Sequence, residues 1–143
     1  AILKEYDFPP SQLWIEITER CRDLPISMIK KTVTAFREAG IHITMDDYGT
    51  GSSSSQMMLE LPVEGIKIDM FFVKDILEEK KKQALVIGMI NFANAADLKI
   101  CIEGIENDSL ESYLRQFDVT CFQGYHYSRP ICQDELMKLL IKP

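Results

Sequence analysis

No apolar run in the chain is long enough to cross a membrane as a helix, and nothing at its start reads as a signal peptide. Basic excess is also missing. Sixteen Lys and Arg stand against 22 Asp and Glu, a formal net charge of -6. That balance argues against a surface for a nucleic-acid polymer, which is normally basic. It leaves room for a nucleotide whose phosphates are met by metal ions. The four cysteines, Cys21, Cys101, Cys121 and Cys132, form no C-x-x-C pair. This predicts a reducing cytoplasm with neither disulfides nor structural zinc. Cys101 and Cys121 fall in apolar strand-like runs, where free cysteine is a common core residue. No repeat or low-complexity linker divides the chain, so residues 1–143 are read as a single domain. With 143 residues, 46% of them hydrophobic, a real core can form.

What is present is an alternation of strand and helix, repeated about five times. Strands are predicted at 13–18, from Ile41 into the aspartates at 46 and 47, and at 65–69, 99–103 and 119–122. Helices are predicted after Pro25 up to Gly40, around Met57 to Leu59, from Lys80 to about Ala96, from Asp108 to near Phe117, and from Gln133 to Ile141. Gly40 suits the position just after a helix end, and Asp108-Ser-Leu-Glu111 has the form of a capping box. Such alternation implies an α/β fold with parallel strands joined by helical crossovers. Buried candidates on the helices include Ile29, Val33, Phe36, Leu85, Met89, Ile90 and Ala93, with Trp14, Met57 and Met58 also read as packing residues.

One stretch, Ile41-His-Ile-Thr-Met-Asp-Asp-Tyr-Gly-Thr-Gly51, stands apart. An apolar strand runs straight into two adjacent carboxylates and a glycine loop. Paired acids in such a place are commonly held by a divalent cation; the alternative is an ordinary Asp-rich turn. Side chains alternate across a strand, and sorting each strand by parity separates two faces. One holds Leu13, Ile15, Ile17, Ile41, Ile43, Met45, Ile66, Ile68, Ile100 and Ile102 and is purely apolar. The other holds Trp14, Glu16, Thr18, His42, Thr44, Asp46, Lys67, Asp69, Lys99, Cys101, Glu103, Cys121 and Gln123. Its polar groups gather toward the C-terminal strand ends, the rim where barrels build active sites. Glu16, Asp46, Asp47, Glu103 and Glu106 offer oxygen ligands that suit Mg²⁺ or Mn²⁺. Lys67 could stabilise negative charge or share in activating a water. His42 lies early in its strand and reads as a satisfied interior histidine.

Five motifs now stand in order: Ile15-Glu-Ile-Thr-Glu19, Asp46-Asp-Tyr-Gly-Thr-Gly51, Leu61-Pro-Val-Glu-Gly-Ile-Lys-Ile-Asp69, Glu103-Gly-Ile-Glu106, and Gln123-Gly-Tyr125 with Ser128-Arg-Pro130. Together they resemble the successive motifs of the EAL domain family across almost the whole chain. The resemblance implies a (β/α)₈ TIM-type barrel that hydrolyses cyclic di-GMP to pGpG with two Mg²⁺ or Mn²⁺ ions. It implies Glu16, Asp46, Asp47 and Glu103 as metal ligands, Lys67 as the lysine that helps activate the attacking water, and Gln123 as the glutamine that orients water or ligand. Glu103 also counts among the catalytic residues, and Glu106 resembles a supporting acid. The loop Tyr48 to Ser55 resembles the one that couples the site to a dimer interface, so a homodimer or other self-association is expected.

Two departures qualify the match. The Glu-Ala-Leu signature and the asparagine of the following strand are absent, and Ser52 to Ser55 replace the usual aromatic and leucine. A closed barrel takes roughly 200 residues or more. The chain therefore reads as a partial barrel of about five βα units, the C-terminal part of an EAL-type domain, lacking the first strands. Weak activity and self-association through open edges are expected. The alternatives are a cyclic di-GMP receptor that does not cut its ligand and a dimerisation module. The expected location is cytoplasmic, with a parent protein that could be membrane-tethered.

Overall fold

The structure is a computed structural model and describes residues 2–18, 24–50 and 54–141. Five parallel strands lie in the order of the sequence: β1 (Trp14–Ile17), β2 (His42–Tyr48), β3 (Gly65–Ile68), β4 (Lys99–Ile102) and β5 (Cys121–Phe122). A short helix α1 (Ile2–Glu5) and a 3₁₀ turn at Pro10–Gln12 precede β1. The crossovers are α2 (Ile26–Glu38), α3 (Ser54–Glu60), the pair α4 (Met70–Val73) and α5 (Lys80–Ala95), and α6 (Asp108–Leu114). Helix α7 (Gln133–Leu140) follows β5. The α/β fold with successive parallel βα units is as the alternation implies. No helix among the described residues is long and apolar enough to span a membrane.

The apolar strand face is the core. Ile17, Ile43, Met45, Ile66, Ile68, Ile100 and Ile102 are buried in one cluster with Ile29 and Val33 of α2 and Val86, Met89, Ile90 and Ala93 of α5. Helices cover this face, which leaves the mixed face to line an open concavity. Helix α2 ends in a Schellman arrangement: Gly40 donates to the Arg37 carbonyl at 2.9 Å and Ile41 to that of Phe36 at 3.0 Å. Gly40 takes φ 83, which a side chain would resist. This turn feeds the chain directly into β2 and sets where its aspartates fall.

Several expectations about packing are corrected. Trp14 is 43% exposed rather than core. It stands on the mixed face of an outermost strand, stacked on His42 with ring centroids 4.5 Å apart, where no helix covers it. Leu85 is exposed, because α5 turns Val86, Met89, Ile90 and Ala93 to the sheet and Leu85 falls one residue off that stripe. Phe36 is only partly covered at the end of α2. Cys121 is exposed and Cys101 half-buried, since both sit on the mixed face. The cap of α6 is Asn107, whose Oδ1 accepts from the Leu110 N–H at 2.9 Å, rather than Asp108 of the supposed capping box. Met57 and Met58 are buried, as expected of packing residues.

Candidate metal and phosphate site

The strand register explains how two adjacent acids reach one place. A regular strand would send Asp46 and Asp47 to opposite faces. Between β2 and β3 the pairing runs Thr44 with Gly65 and Met45 with Ile66, then resumes at Tyr48 with Ile68. Two residues, Asp46 and Asp47, therefore oppose the single residue Lys67. This is a bulge of the kind found beside active sites. Asp47 takes φ 54, the left-handed conformation that aspartate tolerates better than most residues. The bulge re-aims Asp47 toward the same rim as Asp46, and carboxylate oxygens of Asp46, Asp47 and Glu103 come within 4.8 Å of one another.

Lys67 stands in the middle of this group. Its Nζ lies 2.7 Å from Glu103 Oε1, 2.9 Å from Glu16 Oε1 and 3.1 Å from Asp46 Oδ1. Strands β1, β2, β3 and β4 thus each place one charged end on a common point. Burial works against the Lys67 charge, but the carboxylates of Glu103, Glu16 and Asp46 beside it outweigh that and raise its pKa. A lysine raised in this way loses its stabilising charge only above its ordinary range near pH 10.4, so the ammonium persists through neutral pH.

Asp47 is shifted the other way for an acid. Burial, then the neighbouring charges of Asp46 and Asp69, hold its pKa above the usual carboxylate value. Asp69 was not among the predicted site residues, although its parity with Lys67 was the available signal. It caps α4 by accepting from the Phe71 N–H at 2.7 Å and also reaches Asp47.

Asp46 Oδ1 supplies the test of whether these residues suit a metal. It is buried and has no hydrogen-bond donor among the described residues; its 3.1 Å contact with Lys67 is an ion pair without hydrogen-bond geometry. A buried, unsatisfied carboxylate oxygen beside two further carboxylates, all hard oxygen donors, fits Mg²⁺ or Mn²⁺.

The other predicted residues fall around this centre. Glu16 is half exposed on the outermost strand β1 but within reach through Lys67. Gln123 is exposed at the end of β5 and shares with Glu103 and Tyr125 a pocket of about 230 Å³. Glu106 is not brought into the acid group; it lies exposed in the loop after β4, beside Gly104 and Asn107. His42 sits at the opposite end of β2, with Nδ1 2.6 Å from Glu64 Oε2, and Arg37 pairs with the same carboxylate. Glu19 and residues 51–53 of the loop after the aspartates lie outside the described residues, as does Cys21.

A second acid and histidine group, Asp108, Glu111 and His126, is a weaker candidate for a cation. Arg115 hydrogen-bonds Glu111 and holds its carboxyl below the usual range, so that charge is already met. Asp108 is almost wholly exposed.

Comparison with known proteins agrees with this arrangement. The chain is 31% identical to the signaling protein YkoW of Bacillus subtilis, over 98% of this chain and 18% of that protein. It is 30% identical to the cyclic di-GMP phosphodiesterase RocR of Pseudomonas aeruginosa, over 96% of this chain and 35% of that one. It spans about a fifth to a third of the length of these relatives. The solved EAL domain of Mycobacterium smegmatis DcpA superposes with a TM-score of 0.91 at 31% identity, covering 97% of this chain and 62% of that one. The MucR phosphodiesterase solved with c-di-GMP gives 0.85 at 27% identity, over 94% of this chain and 54% of that one. Residues 1–130 match the family model described as the EAL domain, and the chain belongs to that family.

Proposed function

We propose that this chain forms most of the catalytic rim of a cyclic di-GMP phosphodiesterase, the C-terminal part of one EAL-type domain, that hydrolyses cyclic di-GMP to pGpG with Mg²⁺ or Mn²⁺. The observation that carries the reading is the bulge that sets Asp46 and Asp47 together opposite Lys67, with Asp46 Oδ1 buried and lacking a donor. A relative named as a cyclic di-GMP phosphodiesterase and a solved relative with c-di-GMP bound support the substrate class. A further solved relative, Klebsiella pneumoniae BlrP1, was obtained as a manganese and c-di-GMP complex, which supports the ion.

Asp46, Asp47 and Glu103 would hold the ions, with Glu16 at the outer side. Two bound ions supply an activated water and Lewis acidity at the scissile phosphate. Lys67 keeps the carboxylates in position and offers a fixed positive charge to the phosphate oxygens. Gln123, beside Glu103, orients the water or the ligand. Glu106 supports the adjoining loop. The protein acts in the cytoplasm, from a parent chain that could be tethered to a membrane.

Among the described residues β1 and β5 are unpaired on their outer sides, so the concavity opens to water and the sheet presents two edges. This chain alone is therefore a slow enzyme that self-associates. One observation favours a second reading, a receptor that binds the dinucleotide without cutting it: Lys67 already meets Glu16, Asp46 and Glu103, which lowers the negative charge left for ions.

The test is pGpG production with Mn²⁺ or Mg²⁺ by this chain beside a version completed to eight βα units. Product from the completed version, lost with Asp46→Asn, supports the enzyme. Dinucleotide binding by the completed version without product supports the receptor. A monomer of this chain that matches the completed version's rate overturns the claim of impairment.

A further inference from the structure

We infer that Cys101 and Cys121 form a redox-modification site, a dithiol that a hydroperoxide closes into a cross-strand disulfide on the inner face of the sheet. The two residues are direct register partners in the parallel pair β4 and β5. Adjacent strands run ~4.8 Å apart, which falls inside the ~4.4–6.8 Å between α-carbons that a disulfide spans. Both side chains line the same open cavity with Glu16, Lys67 and Gln123, so they project from the same face. Strand β5 is two residues long and, among the described residues, pairs on one side only.

Access assigns the order of events. Cys121 is exposed and Cys101 half-buried, so the peroxide reaches Cys121 first. The Cys121 thiol gives its proton to solvent and attacks the peroxide as the thiolate; the O–O bond breaks, Cys121 becomes a sulfenic acid, and the departing hydroxide takes a proton back to leave as water. The Cys101 sulfur then attacks the Cys121 sulfur, and the Cys101 proton passes to the expelled hydroxide, which leaves as a second water once the disulfide has formed. Two thiols are oxidised and one hydrogen peroxide is reduced to two waters. In reducing surroundings both remain thiols.

The pair lies two residues before Glu103 on one strand and two before Gln123 on the next, on the same side of the sheet. Closing it draws β4 and β5 together directly beneath the rim. This consequence rests on the metal reading above; the modification itself does not.

The experiment uses the 143-residue chain with Cys21→Ser and Cys132→Ser, treated with hydrogen peroxide and mapped by peptide mass without reduction. The expected result is a single intramolecular Cys101–Cys121 cross-link, loss of both titratable thiols, and full recovery with dithiothreitol. Mn²⁺ binding should weaken on the order of 10-fold on oxidation, as when groups behind metal ligands are disturbed, and return on reduction. Cys121→Ser should keep the reduced protein's Mn²⁺ binding and lose the peroxide response. Thiols that stay titratable, or that oxidise separately without a cross-link, overturn the inference. A cross-link that leaves Mn²⁺ binding unchanged overturns its effect on the rim. Failure of the reduced chain to bind Mn²⁺ counts against the metal reading alone, while the cross-link map still decides the modification.

Discussion

A β-carbon on Gly124 would lie 2.1 Å from the carbonyl oxygen of Ile105. The two backbones meet there because Ile105 donates to the Gln123 carbonyl at 3.1 Å and His126 donates to the Ile105 carbonyl at 3.0 Å. This contact joins the loop that carries Glu103 and Glu106 to the strand end that carries Gln123. Backbone faces backbone, so no side-chain rotation relieves the clash. Gly124→Ala should cost ~1–3 kcal/mol, the scale of overpacking a tight interior, and should weaken Mn²⁺ binding as well. Urea unfolding and metal titration of the same variant check both.

Lys67→Met leaves Glu16, Asp46 and Glu103 facing one another without a cation. Removing one partner of a buried ion pair costs ~3–5 kcal/mol, and because Glu16 is half exposed the loss should sit at the low end. The metal-free variant should regain stability on addition of Mn²⁺, whose charge replaces that of the lost ammonium. Thermal melts in EDTA and in Mn²⁺ measure this. A variant as stable as the parent at pH 7 in EDTA would show that the carboxylates do not depend on Lys67.

Asp47 has a raised pKa, so between the unfolded value and the folded one the native state binds more protons than the unfolded state. Stability of the metal-free chain from this group therefore falls as pH rises through that window, from about pH 4 upward. Asp47→Asn removes the cost and keeps a residue that accepts the left-handed conformation. In EDTA the variant should melt higher than the parent at pH 7, with the gap closing toward pH 4. In Mn²⁺ the order should reverse, because the parent alone keeps the ligand. Calorimetric melts across pH with and without Mn²⁺ report both.

Asn107→Ala removes the cap of α6 and should cost ~1 kcal/mol. Asp108→Ala should cost less, because Asp108 is nearly fully exposed and is not the cap. Denaturant midpoints of the two variants decide which residue begins the helix.

Much of the rim was legible from parity. Glu16, Asp46, Lys67 and Glu103 were sorted to one face of four strands, and these are the groups that meet at the Lys67 ammonium. Asp47 was not legible by that route, because period two sends it away from Asp46. Only the bulge returns it, and a bulge depends on the register of the neighbouring strand. Asp69 near Asp47 follows from the same shift. Trp14 and Leu85 were misplaced for different reasons. Trp14 is large and apolar, but it belongs to the face that no helix covers. Helix α5 carries apolar residues around most of its circumference, so its sequence alone does not select Val86 over Leu85; the sheet it packs on does. The cap at Asn107 lay one residue before a motif that matched the capping pattern equally well.

Among the described residues each strand pairs with the strands before and after it in the chain. None of these four pairings waits for a segment made much later. The contacts that build the sheet are therefore local on the scale of the whole molecule, which lowers the loop-closure entropy of each step. Assembly can proceed outward as each βα unit emerges from the ribosome and docks on the one already formed. Two-residue β5 is the last of these five strands to be made, so Gln123 and the Cys121 thiol can take their places only after the strands that carry the acid group have been synthesised.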